Sequence, residues 1–308
     1  MKKKFNIMLC TLIGVLSACN EYDFDQEQYR NEVGLLSNSS LIYDRQVANV
    51  GQEKDTIYLV ATVSGSQISP NTHHVALLES DSLLKAYNKS NFDIEKEKFA
   101  KLLPDECYDF PNKELDIQAG TSKVMFPIYL KNLERISPDS IYFLDYKIDP
   151  EKTPNYNPDK SHVLLRIYKE NYYATTKTST YYNYTSSTIV IPNPSGSPEV
   201  RRPTNANQVF PIGANSVRMM AGDEDLGDYK TARSRIVSKS IILEIGEQQP
   251  ENPQARELTI RAHDRVNDVE VDPVDVVQLT PIDDYDNTFL LNCLLYTSPS
   301  PRDLSTSR

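Results

Sequence analysis

The chain has 308 residues, of which 33 are basic and 43 are acidic, so its net charge at neutral pH is −10. An acidic chain of this kind argues against a nucleic-acid partner, because phosphate binding requires a basic surface. There is no tryptophan, but there are 19 tyrosines. Tyrosine is common in β-strands, and its ring can pack against the face of a sugar or of another side chain.

The N-terminus has the composition of a secretory signal. Three lysines at positions 2–4 precede a short apolar stretch that ends at Ala18, whereas a membrane-spanning helix needs about 20 apolar residues. The sequence "LSAC" at residues 16–19 resembles the lipobox of bacterial lipoproteins. We therefore predict a lipoprotein signal peptide over residues 1–18 and lipidation of Cys19. The alternative is an ordinary secretory signal followed by an incidental cysteine.

The segment after Cys19, residues 19–31, begins with "CNEYDFDQEQ" and is acidic. It resembles the surface-export signal of Bacteroidetes lipoproteins, although a solvated linker has the same composition. We predict a lipid-anchored protein of the outer membrane that faces the cell exterior. Without the signal and residues 293–308, the chain keeps 28 basic and 42 acidic residues, a net charge of −14.

Cysteine usage excludes an intramolecular disulfide in the mature part. Cys10 lies in the signal, Cys19 is the predicted lipid site and Cys293 lies near the C-terminus, which leaves Cys107. A lone thiol of this kind is typical of a small buried apolar residue.

Residues 32–169 predict a β-sandwich with a short helical insertion. We predict strands at Thr56–Val63, His73–Leu78, Lys123–Leu130, Ser140–Ile148 and Ser161–Tyr168. Two amphipathic segments, Ser82–Tyr87 and Asp93–Leu102, predict short helices before Pro104. Several short strands separated by turn signals indicate an immunoglobulin-like fold.

Residues 170–292 predict a second all-β domain. Its strands are predicted at Thr188–Pro192, Ser216–Gly222, Ser240–Gly246, Glu257–Asp264 and Val274–Ile282. The pattern is compatible with either a second β-sandwich or a barrel.

The segment "LLPDECYDFPNKELDIQAGTSKVMFPIYLKNLERISPDSIYFLDYKI", residues 102–148, resembles an uncharacterised N-terminal domain of Bacteroides surface lipoproteins. That domain also heads some endo-β-N-acetylglucosaminidases. The segments "NSVRMMAG" and "PIDDYDNTFLLN" resemble the lipocalin-like C-terminal domain often paired with it. The resemblance implies an accessory lipoprotein of a polysaccharide-utilisation system. Its implied partners are an oligo- or polysaccharide, the outer-membrane lipid at Cys19 and a glycan transporter complex.

The candidate glycan-binding residues are five tyrosines of the stretch "NYYATTKTSTYYNYTSS": Tyr172, Tyr173, Tyr181, Tyr182 and Tyr184. A sugar packs the C–H face of its ring on an aromatic side chain, and nearby Asn, Thr and Ser bond its hydroxyls. In a strand, Tyr182 and Tyr184 share one face and Tyr181 lies on the other. The alternative is that these rings pack within the protein.

Two acidic loops hold candidate calcium ligands. The first, "GDEDLGDYK", contains Asp223, Asp225 and Asp228, and the second is "DDYDN" at residues 283–287. Neither has the full ligand spacing of a calcium loop, so solvated loops are the simpler interpretation and we predict no metal or other cofactor.

No motif in the sequence predicts catalysis. His73 and His74 are adjacent in a predicted strand, so they point to opposite faces and do not readily share a metal. There is no G-x-S-x-G elbow, no phosphate loop and no acidic signature of a chitinase-like barrel. We predict a binding protein that is not an enzyme. The alternatives are a structural or adhesive lipoprotein without a sugar ligand and a glycoside hydrolase with an unrecognised site.

The last 16 residues, 293–308, do not resemble the rest of the chain. The segment "CLLYTSPSPRD", Cys293–Asp303, matches residue for residue the translation of a sequencing-library adapter. We therefore expect residues 293–308 to be non-native and the second domain to be truncated near Asn292.

Overall fold

The computed structural model describes residues 30–184 without interruption. Beyond them it describes these segments: 189–191, 196–197, 199–202, 204, 206–225, 234–237, 239–250, 252–263, 269–271, 277–278, 280–283, 288–291 and 295–297. The predicted signal peptide, Cys19 and most of the acidic linker lie outside these segments. Within them, no helix is long and apolar enough to cross a membrane.

Two β-sheets form the N-terminal half. The first contains, in spatial order, β1 (Val33–Leu35), β3 (Asp55–Val63), β8 (Lys123–Leu130) and β6 (Tyr108–Asp109). The second contains β2 (Ile42–Asn49), β10 (His162–Glu170), β9 (Tyr142–Ile148), β4 (His73–Glu79) and β7 (Glu114–Ile117), with β5 (Lys101–Leu102) beside β9. Pairing is antiparallel except for β2 with β10 and β5 with β9.

The core lies between these two sheets. In β8, Phe126, Ile128 and Leu130 are fully buried, while Met125 and Tyr129 between them are exposed. This is the period-two pattern of a strand that is covered on one face. Strand β9 is instead buried on both faces from Tyr142 to Tyr146, because a helix covers its outer side.

That helix, α1 (Ser82–Phe92), confirms the predicted helical insertion. The predicted helix over Asp93–Leu102 is wrong, because this segment holds only a 3₁₀ turn at Lys96–Lys98 and then β5. Asp93 adopts φ 48°, which ends α1. The Asn88 side chain then fixes the returning chain, since its amide donates to the Ala100 carbonyl and its oxygen accepts from the Ala100 N–H.

Three further 3₁₀ turns connect strands of this half, at Asp105–Cys107, Leu133–Arg135 and Pro158–Lys160.

The C-terminal half is built on an eight-stranded sheet. Its spatial order is β19 (Val277–Gln278), β17 (Asn252–Ala262), β16 (Ser240–Gln249), β15 (Ser216–Met220), β14 (Ala206–Gly213), β11 (Thr180–Tyr184), β21 (Thr288–Leu291) and β20 (Thr280–Asp283). A four-stranded sheet contains β13 (Glu199–Arg201), β12 (Ile189–Ile191), β22 (Leu295–Thr297) and β18 (Val269–Val271). Residues 234–237 are helical. The predicted all-β class, an immunoglobulin-like sandwich followed by a second β domain, is confirmed.

Strand β22 lies within residues 293–308, which are predicted to be non-native. It pairs in parallel with β12 and antiparallel with β18.

Candidate functional site

The two halves of the chain are joined by the linker that follows β10. The oxygen of the Asn171 side chain accepts hydrogen bonds from the backbone N–H groups of Tyr173 (2.9 Å) and Ala174 (2.8 Å). Its amide nitrogen donates to the carbonyls of Gly213 (2.8 Å) and Ser216 (3.0 Å) in the β14–β15 hairpin. One side chain therefore shapes the linker turn and attaches it to the C-terminal sheet.

A buried ion pair crosses the same junction. The guanidinium of Arg218, on β15, makes a bidentate contact with the Asp139 carboxylate, in which Nη1 lies 2.5 Å from Oδ2. The Arg218 side chain is 4% exposed and that of Asp139 is 25% exposed. The Arg218 guanidinium also lies 4.9 Å from the centre of the Phe210 ring. Planar bidentate pairs of this kind fix geometry as well as charge.

A buried lysine supports the loop that carries Asp139. Lys169 Nζ donates to the Ile136 carbonyl at 2.7 Å. Burial lowers the pKa of Lys169 to about 8, partly opposed by the nearby carboxylates of Glu134 and Asp139. The loop is thus held from both domains.

The structure separates the five candidate tyrosines. Tyr173 is 5% exposed and Tyr182 is fully buried, and both belong to the core of the C-terminal domain. The Tyr182 hydroxyl donates to the Tyr173 carbonyl at 3.1 Å, and burial raises the pKa of both phenols. A sugar cannot reach these two rings in this conformation. The Tyr184 side chain lies outside the described residues.

The two remaining tyrosines are accessible but do not form one patch. Tyr181 is 39% exposed and, as the strand neighbour of the buried Tyr182, lies on the other face of β11. Tyr172 is 79% exposed, and its ring meets that of Tyr173 edge-on, with ring centres 5.1 Å apart. The Tyr173 ring has a second neighbour from β17, the Arg256 guanidinium, which lies 5.8 Å from the ring centre.

Tyr172, Tyr173 and Arg256, which we call the junction site, thus form a row of neighbours beside the domain linker. Arg256 is not among the site residues predicted from the sequence. The available signal was the alternation of "RELTI", which places Arg256, Leu258 and Ile260 on one face of β17. Domain junctions are a preferred location for ligand sites.

The candidate calcium ligands are engaged by the protein where they are described. Asp223 accepts a hydrogen bond from the Thr204 N–H at 2.7 Å, and Asp225 lies 3.1 Å from Arg235. Asp228 and residues 284–287 lie outside the described segments. In the described part of the chain, no three His, Cys, Asp or Glu side chains are grouped to hold a metal ion.

The two adjacent histidines have separate partners. His73 Nε2 lies 2.8 Å from the Ser69 hydroxyl, and His74 Nδ1 lies 2.7 Å from the Asp116 carboxylate. The predicted burial of Cys107 is confirmed, since its side chain is fully buried in the sandwich core. Burial and the neighbouring Glu106 carboxylate raise the pKa of this thiol, which disfavours a nucleophilic role.

Another buried polar side chain, that of Asp145, lies under helix α1. The Asp145 side chain has no exposed surface and accepts hydrogen bonds from the N–H groups of Leu83 (3.1 Å) and Leu84 (3.0 Å) in the first turn of α1. Its other oxygen lies 3.5 Å from His162 Nε2. Burial raises the pKa of Asp145 and lowers that of His162, while the attraction between the two opposes both effects.

His162 also lines a cavity of about 480 Å³ at the end of the β9–β10 connection. Its walls include Lys147, Asp149, Glu151 and Tyr156. Asp149 is already used in the loop, where Oδ1 accepts from the Glu151 N–H at 3.0 Å. The cavity was not predicted, because its walls come from a loop that the sequence marks only by turn residues.

Comparisons with known proteins agree with this architecture. A family model described as an N-terminal domain matches residues 29–155, and a model described as a C-terminal domain matches residues 161–297. No curated protein matches the chain. The boundary between the two matched regions precedes β10, which pairs with β2 and β9 in the N-terminal sheet.

Several solved structures share the fold. A protein of unknown function from Bacteroides ovatus is 16% identical, with 87% of this chain and 81% of that chain aligned at a TM-score of 0.58. A second protein of unknown function from the same organism is 19% identical, with 81% and 78% aligned at a TM-score of 0.59. An auxiliary nutrient binding protein from Bacteroides thetaiotaomicron is 17% identical, with 82% of each chain aligned at a TM-score of 0.54. The TM-scores of these three alignments show a shared fold at low sequence identity.

Proposed function

We propose that the chain is a lipid-anchored cell-surface protein that binds glycan and assists a Bacteroidetes-type bacterium in capturing polysaccharide for uptake. It acts as a binding protein and not as a hydrolase. The observation that carries the proposal is Tyr172, a large aromatic side chain that is 79% exposed and supported by a second ring.

The surroundings of Tyr172 suit a sugar platform. The C–H face of a pyranose packs on an exposed aromatic ring, and a ring held in place loses little conformational freedom on binding. The backbone on either side of Tyr172 is fixed by the four hydrogen bonds of Asn171. The ring is further supported by Tyr173, which is anchored in the core.

Two other observations support the proposal. The auxiliary nutrient binding protein from Bacteroides thetaiotaomicron has the same fold as this chain. The lipobox-like "LSAC" and the acidic segment after Cys19 favour export and surface anchoring, where a glycan receptor would deliver its ligand to a transporter complex.

The binding test uses the purified full-length chain in mild detergent. Its migration is compared in native gels with and without embedded polysaccharides of different composition. We expect retardation by at least one polysaccharide and an affinity about tenfold lower for Tyr172→Ala, which corresponds to about 1.4 kcal/mol. Tyr129→Ala, which removes an exposed tyrosine of the N-terminal sheet, is the matched control and should bind normally.

Each alternative has its own outcome in that experiment. Absence of retardation by every polysaccharide would favour the structural or adhesive interpretation. Release of reducing sugar from a retained polysaccharide would favour a hydrolase.

Anchoring is tested separately in cells. Cys19→Ser should abolish incorporation of a labelled fatty acid, and protease added to intact cells should degrade the wild-type protein. Unchanged labelling in the variant would contradict lipidation of Cys19, and protection from protease would contradict exposure at the cell surface.

A further inference from the structure

The junction site contains the guanidinium of Arg256. Arg256 is half-buried on the same face of β17 as the buried Leu258, beside the ring of Tyr173. Among the described residues its one hydrogen bond is long, from Nη1 to the Gly246 carbonyl at 3.4 Å. No carboxylate of the described segments lies within 4 Å of it. Since a guanidinium carries five N–H donors, most of its hydrogen-bonding capacity is unused by these neighbours.

Three other arginines of the same domain have carboxylate partners. Arg218 contacts Asp139, Arg235 contacts Glu224 and Asp225, and Arg261 contacts Glu244 at 2.7 Å. Arg256 differs from these three arginines, because no carboxylate of the described segments lies within 4 Å of its guanidinium.

We infer that the junction site takes an anionic saccharide, in which Arg256 binds a carboxylate or sulfate group while Tyr172 packs on the ring face. The inference rests on the proposed function and names the class of glycan. A guanidinium presents two parallel N–H groups that match the oxygens of a carboxylate or a sulfate. The neighbouring ring of Tyr173 lies within cation–π distance of the guanidinium and helps to hold it in place.

The overall negative charge of the protein does not prevent this recognition. At physiological ionic strength charges are screened over about 8 Å, so exposed acidic groups farther away contribute little at the site. The Arg256 guanidinium and the Tyr172 ring are both neighbours of the Tyr173 ring, so one oligosaccharide is long enough to reach the guanidinium and the exposed ring together.

The experiment measures the affinity of the full-length chain, in mild detergent, for two matched pairs of polymers. Polygalacturonate is compared with its methyl ester, in which the carboxylates are masked, and dextran sulfate is compared with neutral dextran. Oligosaccharides bearing uronate or sulfate groups, printed as an array, extend the panel. We expect one acidic polymer to bind at least about tenfold more tightly than its neutral form, because a charge-assisted pair is formed only with the acid.

Three variants connect this preference to the site. Arg256→Met should reduce affinity for the acidic polymer about tenfold and abolish the preference over the neutral form. Arg256→Lys should lose part of the affinity, since a lysine keeps the charge without the planar fork. Arg261→Met is the matched control on the same strand, where the arginine already has a carboxylate partner, and should leave the preference unchanged. Urea unfolding of each variant verifies that it is folded.

The outcomes distinguish the inference from the proposed function. If neutral polymers bind as tightly as acidic ones, or if Arg256→Met keeps the preference, the inference is overturned while glycan binding stands. If no neutral or acidic saccharide is retained, both are overturned. Preference for polygalacturonate assigns a carboxylate ligand, and preference for dextran sulfate assigns a sulfate ester.

Discussion

Two arginines of the C-terminal sheet lie beside aromatic rings but in opposite electrostatic situations. Arg218 faces the N-terminal domain, is buried, lies 4.9 Å from the centre of Phe210 and forms a bidentate pair with Asp139. Arg256 faces the other side of the sheet, is half-buried and lies 5.8 Å from the centre of Tyr173. In the described part of the chain it has no carboxylate within 4 Å.

The difference shows how one type of side chain serves two purposes. A buried charge destabilises a protein unless a partner compensates for it, so Arg218 and Asp139 depend on one another and fix how the domains meet. A partly exposed charge keeps contact with water and does not need a partner in the folded protein. Arg256 is therefore available to an external anion, and the comparison predicts that stability depends on the first arginine and recognition on the second.

The largest effect is expected at the paired arginine. Arg218→Met should lower the free energy of unfolding by about 3 kcal/mol, because it removes the partner of a carboxylate that is three-quarters buried. Urea unfolding followed by circular dichroism measures the loss. Adding Asp139→Asn to the variant should recover part of it, since the uncompensated charge is then gone. A loss below about 1 kcal/mol for Arg218→Met would show that the pair does not hold the junction.

A smaller loss is expected at the linker. Asn171→Ala removes four hydrogen bonds to backbone groups and should cost about 2 kcal/mol. It should also weaken glycan binding, because the turn that presents Tyr172 is no longer fixed. Asn171→Asp is the control, because it keeps the two accepted hydrogen bonds and loses the two donated ones. Its free energy of unfolding and its affinity for glycan should lie between those of wild type and Asn171→Ala. Wild-type affinity in Asn171→Ala would mean that the turn does not position the site.

Sequence reasoning succeeded for strands whose apolar pattern is strong. The predicted strand Lys123–Leu130 has the same bounds in the structure, and Thr56–Val63 differs by one residue. Strand β2, "IYDRQVAN", was not predicted, because it is polar and its partner β10 lies more than 100 residues away. The helix predicted over Asp93–Leu102 was wrong for the same reason, namely that non-local contacts decide the structure. The pairing of β5 with β9 and the hydrogen bonds between Asn88 and Ala100 override the local amphipathic pattern.

The candidate site shows the same limit. Alternation correctly places Tyr181 and Tyr182 on opposite faces of a strand, but it cannot tell which face meets the core. The proximity of Tyr173 to Arg256 is a tertiary contact between the domain linker and β17, two segments far apart in the chain, which sequence patterns do not reveal. The lipidation of Cys19 and the non-native origin of residues 293–308 stay predictions.

The N-terminal sandwich also contains a largely buried titratable pair, Asp145 and His162, and the pH dependence of stability tests whether burial controls its protonation. Burial lowers the pKa of His162 below its ordinary 6.5, helped by Lys147 and opposed by Asp145. The folded protein thus binds this proton less tightly than the unfolded chain, so the contribution to stability is present above pH 6.5 and is lost as pH falls toward the lowered value. Asp145 acts with the opposite sign, because its raised pKa makes protonation easier in the fold and adds stability as pH falls toward 3.8.

The measurement is the urea midpoint at pH 7, 6 and 5 for wild type and His162→Gln. The difference between the two curves isolates His162 from other titrating groups, and we expect wild type to lose stability relative to the variant as the pH falls. Asp145→Asn is the companion variant, because it keeps an oxygen for the N–H groups of Leu83 and Leu84 without the charge. Parallel curves for wild type and His162→Gln would contradict a lowered histidine pKa.

The smallest effect on stability is expected at Arg256, and it decides whether the comparison between the two arginines holds. Arg256→Met should change the free energy of unfolding by no more than about 0.5 kcal/mol, because the guanidinium has no carboxylate partner among the described residues and methionine preserves the apolar stem. Arg261→Met, which breaks an exposed pair with Glu244, should be similarly mild. The same arginine-to-methionine change is thus made three times in one sheet, and urea midpoints compare the results directly. If Arg256→Met costs as much as Arg218→Met, the second arginine is also structural, and its side chain is not free to bind an anionic sugar.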